Sequence, residues 1–374
     1  MNISRREWLK STSLTGGLAL VSGLTTLQTL TAAERYSYNP RVSGDPIRLN
    51  SNENPYGPSL RVQKAITEAF RTGCRYPYAY ADTLASILAE KEGVSRESII
   101  ITGGSTEGLK ASGITFAANG GEIIAAQPTF LAMMSYAKTW GAKVNWVPVT
   151  ENMAYDLDTI ESRISSKTKM IFLCNPNNPT TTIVPAKKLM DFCTTASRKA
   201  LVFSDEAYYD FIEEPNYPSM VALVKKDQNV VVSRTFSKVY GLAGLRIGYL
   251  IARPDLARKI RANVMAFSNV LAIHAAKEAL LDNDFYSFSL NKNKEAKQFI
   301  YNTLDKLSLR YVPSSTNFVF FRSGIEIRTL ERLMLEKGIR IGRPFPPFYD
   351  WCRISTGTPE EVQLFCNSLQ EIIG

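Results

Sequence analysis

Histidine is almost missing from this chain: 374 residues contain one, His274. A Ser-His hydrolase or a histidine-rich metal centre is hard to build from a single imidazole. That histidine falls in NVLAIHAAKEALL (269–281), whose apolar spacing predicts an amphipathic helix and hence a packed or helix-surface histidine. Cysteine is sparse and scattered, at Cys74, Cys174, Cys193, Cys352 and Cys366, with no CxxC pair. A zinc ribbon or a thioredoxin-like site therefore has no support. Cys174 and Cys352 read as small apolar fillers rather than nucleophiles. GxGxxG is also absent, so a dinucleotide fold has no direct support. The formal net charge is +9. Its cations are spread along helical stretches such as PDLARKIRANV (254–264) and NKNKEAKQF (291–299). No basic cluster is interleaved with aromatics, so nucleic-acid binding is not inferred.

What is present centres on a lysine. Ser233-Arg234-Thr235-Phe236-Ser237-Lys238 is followed, eight residues after the lysine, by Arg246 in GLAGLRIGY. A lysine can form a Schiff base with an aldehyde. Thr235, Ser237 and Arg246 can hold a phosphate beside it. Aldehyde plus phosphate describes pyridoxal 5′-phosphate. Upstream, the apolar run MIFLC leads into Asn175-Pro176-Asn177-Asn178-Pro179-Thr180. A strand followed by a Pro/Asn turn places Asn178 at a strand's carboxyl end, where α/β ligands bind, with its amide free for the cofactor's 3′-oxygen. A second apolar run, Ala200-Leu201-Val202-Phe203-Ser204, ends in Asp205-Glu206-Ala207-Tyr208. Asp205 can pair with the pyridine nitrogen and keep it protonated. Tyr208 can reach the same 3′-oxygen as Asn178. Singly, these motifs are a basic loop, a turn and a strand end. Their order along the chain points to one cofactor.

That order resembles the fold-type-I pyridoxal-phosphate aminotransferases of class I/II, within them the histidinol-phosphate aminotransferase-like branch. The resemblance covers roughly residues 45–372, with further motifs in RLNSNENPYGPS (48–59), TGGSTEGL (102–109) and WCRISTGTP (351–359). It implies Lys238 as the Schiff-base lysine and Asn178, Asp205 and Tyr208 around the ring, with Phe130 of QPTF stacked on it. It implies Ser105, Thr106, Thr235, Ser237 and Arg246 at the phosphate, and Tyr56 at the phosphate of the neighbouring subunit's cofactor in a homodimer. Arg353 would grip the substrate α-carboxylate. Asn54 and Arg343 are further substrate-side candidates, and Arg340 competes with Arg343 for a distal acid or phosphate. One departure is plain: the family usually has glycine after NPT, and Thr181 stands here. Glycine tolerates positive φ and threonine does not easily, so the local turn is expected to differ.

The fold expected is α/β: a mostly parallel seven-stranded sheet forming a large domain (60–270), plus a smaller α+β domain (271–374). Strands are predicted at 98–102, 122–126, 143–149, 169–174, 200–204, 229–233 and 247–252, with helices between them such as 106–118 and 185–199. The smaller domain is predicted to hold helices near 286–307, 329–338 and 359–372 and a strand at 317–322. Segment 34–59 is expected to pack with the small domain or with a partner subunit.

The first 33 residues read separately. Ser4-Arg5-Arg6-Glu7-Trp8-Leu9-Lys10 precedes an uncharged stretch, 11–33, rich in Gly, Thr and Ser and closing on Thr31-Ala32-Ala33. This resembles a twin-arginine signal peptide, which implies the Tat export machinery as a partner and a periplasmic or extracytoplasmic location. An uncleaved membrane anchor is the alternative.

The functional expectation is amino-group transfer between an L-amino acid, or a related amine, and a 2-oxo acid. A same-fold racemase, decarboxylase, lyase or amino-acid cyclase stays open, as does a binding protein without catalysis. Retention of Lys238, Asp205 and Arg353 together speaks against the last.

Overall fold

The computed structural model describes residues 44–374. The twin-arginine segment lies outside the described residues, as does the start of segment 34–59. The chain opens with a two-residue strand, β1 (Ile47–Arg48), then helices α1 (Leu60–Ala69) and α2 (Tyr78–Glu92). Strand β2 (Ile99–Thr102) feeds α3 (Ser105–Ala117), β3 (Glu122–Gln127), α4 (Ala132–Thr139) and β4 (Lys143–Pro148). After α5 (Leu157–Ser162) come β5 (Thr168–Cys174), α6 (Ala186–Ala196), β6 (Leu201–Asp205), α7 (Val221–Val224), β7 (Val230–Thr235) and β8 (Gly248–Ala252). These seven strands, β2 to β8, each lie within two residues of the expected segments and form one sheet in the order β2-β8-β7-β6-β5-β3-β4. Only β8 runs antiparallel to its neighbours.

The strands read as continuous apolar runs because both faces of the sheet are covered. Alternate residues go to opposite sides. Ile171, Leu173, Val202, Val230 and Val232 join the cluster that contains Leu84 and Leu88 of α2 and Leu189 of α6. Met170, Phe172, Leu201, Phe203 and Val231 join the one that contains Leu109 of α3, Met133 of α4 and Leu256 of α8 (Pro254–Arg261). His274 lies half-buried on α9 (Val270–Leu280), its ring 5.0 Å from that of Tyr80, as a packed histidine should.

The remaining elements are α10 (Asn283–Lys306), β9 (Tyr311–Val312), β10 (Phe318–Arg322), α11 (Ile327–Glu336), β11 (Ile339–Arg340), β12 (Trp351–Ser355) and α12 (Pro359–Ile373). Strands β12-β10-β9 make a separate antiparallel sheet. Helix α12 starts where TGTPEE dictates: Thr358 and Glu361 form a reciprocal capping box and Pro359 occupies the first turn. Strand β1 pairs in parallel with β11, and Ile47 and Leu49 enter the apolar cluster of these C-terminal elements. The N-terminal segment then runs back over the carboxyl edge of the large sheet.

Candidate active site

A cavity of about 590 Å³ opens at that edge. Its phosphate-sized end is built around the start of α3. Helix α3 begins after Gly104, and no side chain caps its amides, which leaves Ser105 and Thr106 presenting unsatisfied donors. From β7, Thr235 Oγ1 donates to Ser237 Oγ at 2.9 Å and accepts from the Ser237 amide at 3.1 Å, which folds the Thr-Phe-Ser turn toward the same end. Arg246 supplies the cation. Its backbone is left-handed (φ 58°, ψ 66°), an uncommon conformation for arginine. Glycine suits position 104 because its φ is 80°, where a side chain is strained, and a Cβ would also push the Arg246 guanidinium aside.

Asp205 and Lys238 lie in the middle. Asp205 is the last residue of β6, 2% exposed, and its Oδ1 has no hydrogen-bond partner. Burial pushes its carboxyl from 3.8 up to about 7, against the weaker pull of the Ser233 hydroxyl, the Ala207 amide and, last, the Lys238 charge. The Lys238 amine donates to the Asn52 carbonyl at 3.0 Å and stands 5.5 Å over the Tyr208 ring. Burial first, and then the Arg353 charge, lower its pKa from 10.5 to about 8.

The substrate side is a hydrogen-bonded chain. Arg353 on β12 donates from Nη1 to Asn178 Oδ1 at 2.8 Å and from Nη2 to the Asn50 carbonyl. Its Nε is buried without a partner, and burial lowers its pKa to about 10. Tyr208 Oη accepts from Asn52 Nδ2 at 3.0 Å and from Asn178 Nδ2 at 3.4 Å. Phe130 lines the cavity as well.

Ser105, Thr106, Phe130, Asn178, Asp205, Tyr208, Thr235, Ser237, Lys238, Arg246, Arg343 and Arg353 are thus brought together, from seven separate stretches of chain. Of the two competing arginines, Arg343 lines the cavity, whereas Arg340 extends β11 and is exposed. Asn54 needs correction. Its amide donates to the Val239 carbonyl at 2.9 Å and to Ser289 Oγ at 3.0 Å, and its Oδ1 takes the Tyr56 amide at 3.0 Å. Those bonds pin the loop rather than face the cavity. Tyr56 is also outside this cavity. Its ring is 8% exposed and packs edge-on to Phe288 at 4.9 Å.

The residue that sequence reasoning missed is Asn52. It adopts φ 53°, is 1% exposed, and touches Lys238, Tyr208, Ser355 and Asn317 at once. Its signal was the Asn-Glu-Asn spacing of SNENP, because asparagine is enriched in left-handed positions.

Thr181 overturns the expected difference in turn. It adopts the glycine-like φ of 65°. Its amide bonds the Asn177 carbonyl at 2.8 Å, its carbonyl takes the Ser315 amide at 3.2 Å, and its hydroxyl reaches the Pro313 carbonyl at 3.3 Å. A left-handed non-glycine costs about 1–2 kcal/mol. Thr181→Gly would recover that, but would lose a buried methyl worth about 0.8 kcal/mol, a long hydrogen bond worth about 0.5 kcal/mol and about 0.5–1 kcal/mol of chain entropy. The terms nearly cancel, so Thr181→Gly is expected to shift stability by less than about 1 kcal/mol in denaturant melts. A larger gain would mean that backbone strain dominates the turn.

Three comparisons with known proteins bear on this geometry. The family model described as aminotransferase class I and II matches residues 44–369. The chain belongs to that family. The histidinol-phosphate aminotransferase of Moorella thermoacetica is 39% identical over 334 residues, covering 88% of this chain and 86% of the relative. Histidinol-phosphate aminotransferase 1 of Bacillus cereus is 34% identical over 330 residues, covering 87% and 89%. Among solved structures, the histidinol-phosphate aminotransferase of Sinorhizobium meliloti in complex with pyridoxal-5′-phosphate superposes with a TM-score of 0.81 at 27% identity, over 93% of this chain and 96% of that one. This aminotransferase has the fold-type-I architecture and depends on pyridoxal 5′-phosphate. Its own residues fit that cofactor. A buried carboxylate with one unpartnered oxygen suits a protonated ring nitrogen, and an uncapped helix start with hydroxyls and Arg246 suits a phosphate.

Proposed function

We propose that Lys238, Asp205 and Arg353 act together to move an amino group between an L-amino acid, or a related amine, and a 2-oxo acid. The observation that carries the reading is one cavity lined by both a half-buried lysine and a buried aspartate with one oxygen, Oδ1, left without a partner. When bound, pyridoxal phosphate supplies a conjugated ring that stabilises negative charge at the substrate Cα. Asp205 holds a proton at the ring nitrogen, and desolvation makes that ion pair strong. Asn178 and Tyr208 orient the 3′-oxygen, and Phe130 covers a ring face. Ser105, Thr106, Thr235, Ser237 and Arg246 hold the phosphate end. Lys238 would hold the cofactor's aldehyde end, and its amine would move a proton at the substrate Cα. A pKa near 8 suits an amine that must both take and give that proton near neutrality. Arg353 forks onto the α-carboxylate and orients the Cα–H bond. Arg343 offers a cation to a distal anionic group.

A half-reaction tests this directly. The loaded enzyme, mixed with an amino-acid panel in the absence of any 2-oxo acid, should yield stoichiometric pyridoxamine phosphate and keto acid by mass spectrometry. A racemase, decarboxylase, lyase or cyclase would release product with the cofactor unchanged, which would sink the transfer reading.

The working unit proposed is a homodimer. Tyr76, Tyr78 and Phe267 are more than half exposed yet touch one another, with ring centroids 4.8–6.4 Å apart. An exposed aromatic patch of this kind favours a covering partner. The double variant Tyr78→Arg with Phe267→Arg should behave as a monomer in light scattering. A dimer unaffected by it would place the interface elsewhere.

A further inference from the structure

Helix α11 carries a charge where its pattern calls for an apolar residue. Ile327, Leu330 and Met334 are its buried face, and Glu331 lies on that same stripe, four residues after Ile327 and three before Met334. A carboxylate on a core-facing stripe costs desolvation unless something answers it. Glu331 makes no ion pair or hydrogen bond among the described residues. Arg328, one turn back, and Glu326 act on it only at longer range, and burial raises its pKa. It lines the active-site cavity beside Ile341 and Arg343. Its charge is felt at the Cys352 thiol, the neighbour of Arg353 on β12, and Glu331 and Arg353 line the same cavity.

The other acids of the cavity are occupied or reserved. Glu53 pairs with Arg48 at 2.6 Å, and Asp205 is the residue proposed above for the cofactor's ring nitrogen. Arg343 does not answer Glu331. Its guanidinium lies 4.4 Å over the Phe345 ring and donates to the Pro344 carbonyl. A cavity that served only aspartate-like or phosphate-bearing substrates would gain nothing from a carboxylate at this place, since like charges repel.

We propose that Glu331 is a specificity-determining residue that selects amino substrates whose side chain ends in an N–H donor or a positive charge, such as an ammonium, guanidinium or imidazole group. The proposal rests on the amino-transfer reading of the same cavity. The α-carboxylate of such a substrate meets Arg353, and its side chain crosses the cavity to Glu331. A charge-assisted hydrogen bond there changes affinity by about ten- to a hundredfold.

The test uses the loaded enzyme and α-methyl amino acids, which lack the Cα proton and so report binding without turnover. Titration calorimetry compares α-methylornithine, α-methylhistidine, α-methylleucine and α-methylaspartate. The wild type should bind the first two most tightly. Glu331→Gln should weaken those two by about ten- to a hundredfold and leave α-methylleucine unchanged. Glu331→Leu completes the apolar stripe of α11, so it should fold well and remove the preference entirely. Arg343→Gln should weaken α-methylaspartate and keep the first two ligands ahead of α-methylleucine. Equal weakening of all four ligands, or a wild type that binds α-methylaspartate best or binds none, overturns the assignment. Because no turnover is read, failure here is separate from failure of the half-reaction.

Discussion

Asp205→Asn is expected to stabilise the cofactor-free protein while disabling the enzyme. Burial raises the native pKa of this carboxyl from 3.8 to about 7. A raised native pKa means that the folded protein holds the proton more tightly than the unfolded chain. The favourable contribution is therefore complete below the unfolded value and lost as pH rises through about 7. Above that pH the folded cofactor-free protein carries a buried carboxylate with one oxygen, Oδ1, unpartnered. At 1.36 kcal/mol per pH unit, the difference corresponds to about 4 kcal/mol. Asparagine never charges. The variant should melt several degrees above wild type at pH 8 and close to it at pH 4, both stripped of cofactor. The loaded variant should lose most of its turnover, because an amide cannot hold the ring nitrogen protonated. A thermal melt that shows no pH-dependent gain would mean that the carboxylate is already solvated or paired. Near-normal turnover would mean that another group serves the pyridine nitrogen.

Lys238→Ala should have the largest effect on activity. It removes both the covalent anchor and the group that moves the Cα proton. A positioned proton transfer alone is worth about 10²–10⁴-fold, so turnover should fall at least that far. Borohydride reduction and peptide mapping should label the wild-type peptide containing Lys238 and nothing in the variant. A label on another lysine would displace the assignment. The wild type offers a second check. Only the neutral amine attacks an aldehyde, and burial with the Arg353 charge brings the Lys238 pKa down to about 8. Covalent capture of cofactor by the stripped protein should rise about tenfold per pH unit below 8 and level off above it. A rate still climbing at pH 10 would show an amine with an ordinary lysine pKa.

Much of this was legible in the chain. The strand ends that carry Asp205 and Thr235 follow apolar runs long enough to be buried on both faces, so their positions were readable within two residues. The helix start that brings Ser105 and Thr106 to the cavity was readable, because it follows Thr102-Gly103-Gly104 and leaves its first amides unpaired. Asn54 misled because its motif places it near the site while its side chain is taken up by Val239 and Ser289, more than 180 residues away along the chain. Asn52 was missed for the converse reason: its importance comes from four contacts made across the fold.

The sequence by itself determined the alternation of strands and helices and the cofactor, because these rest on local runs, turn residues and the intrinsic reactivity of side chains. Only the tertiary structure decided which groups are answered and which are not. It buried Asp205 Oδ1 without a partner, turned Arg343 rather than Arg340 into the cavity, fitted Thr181 into a glycine's conformation, and left Glu331 lining the cavity without an ion pair among the described residues. The physical reason is that desolvation and pairing are properties of the whole packed environment. A carboxylate's pKa, or a threonine's tolerance of a left-handed turn, is set by atoms that lie far away along the chain.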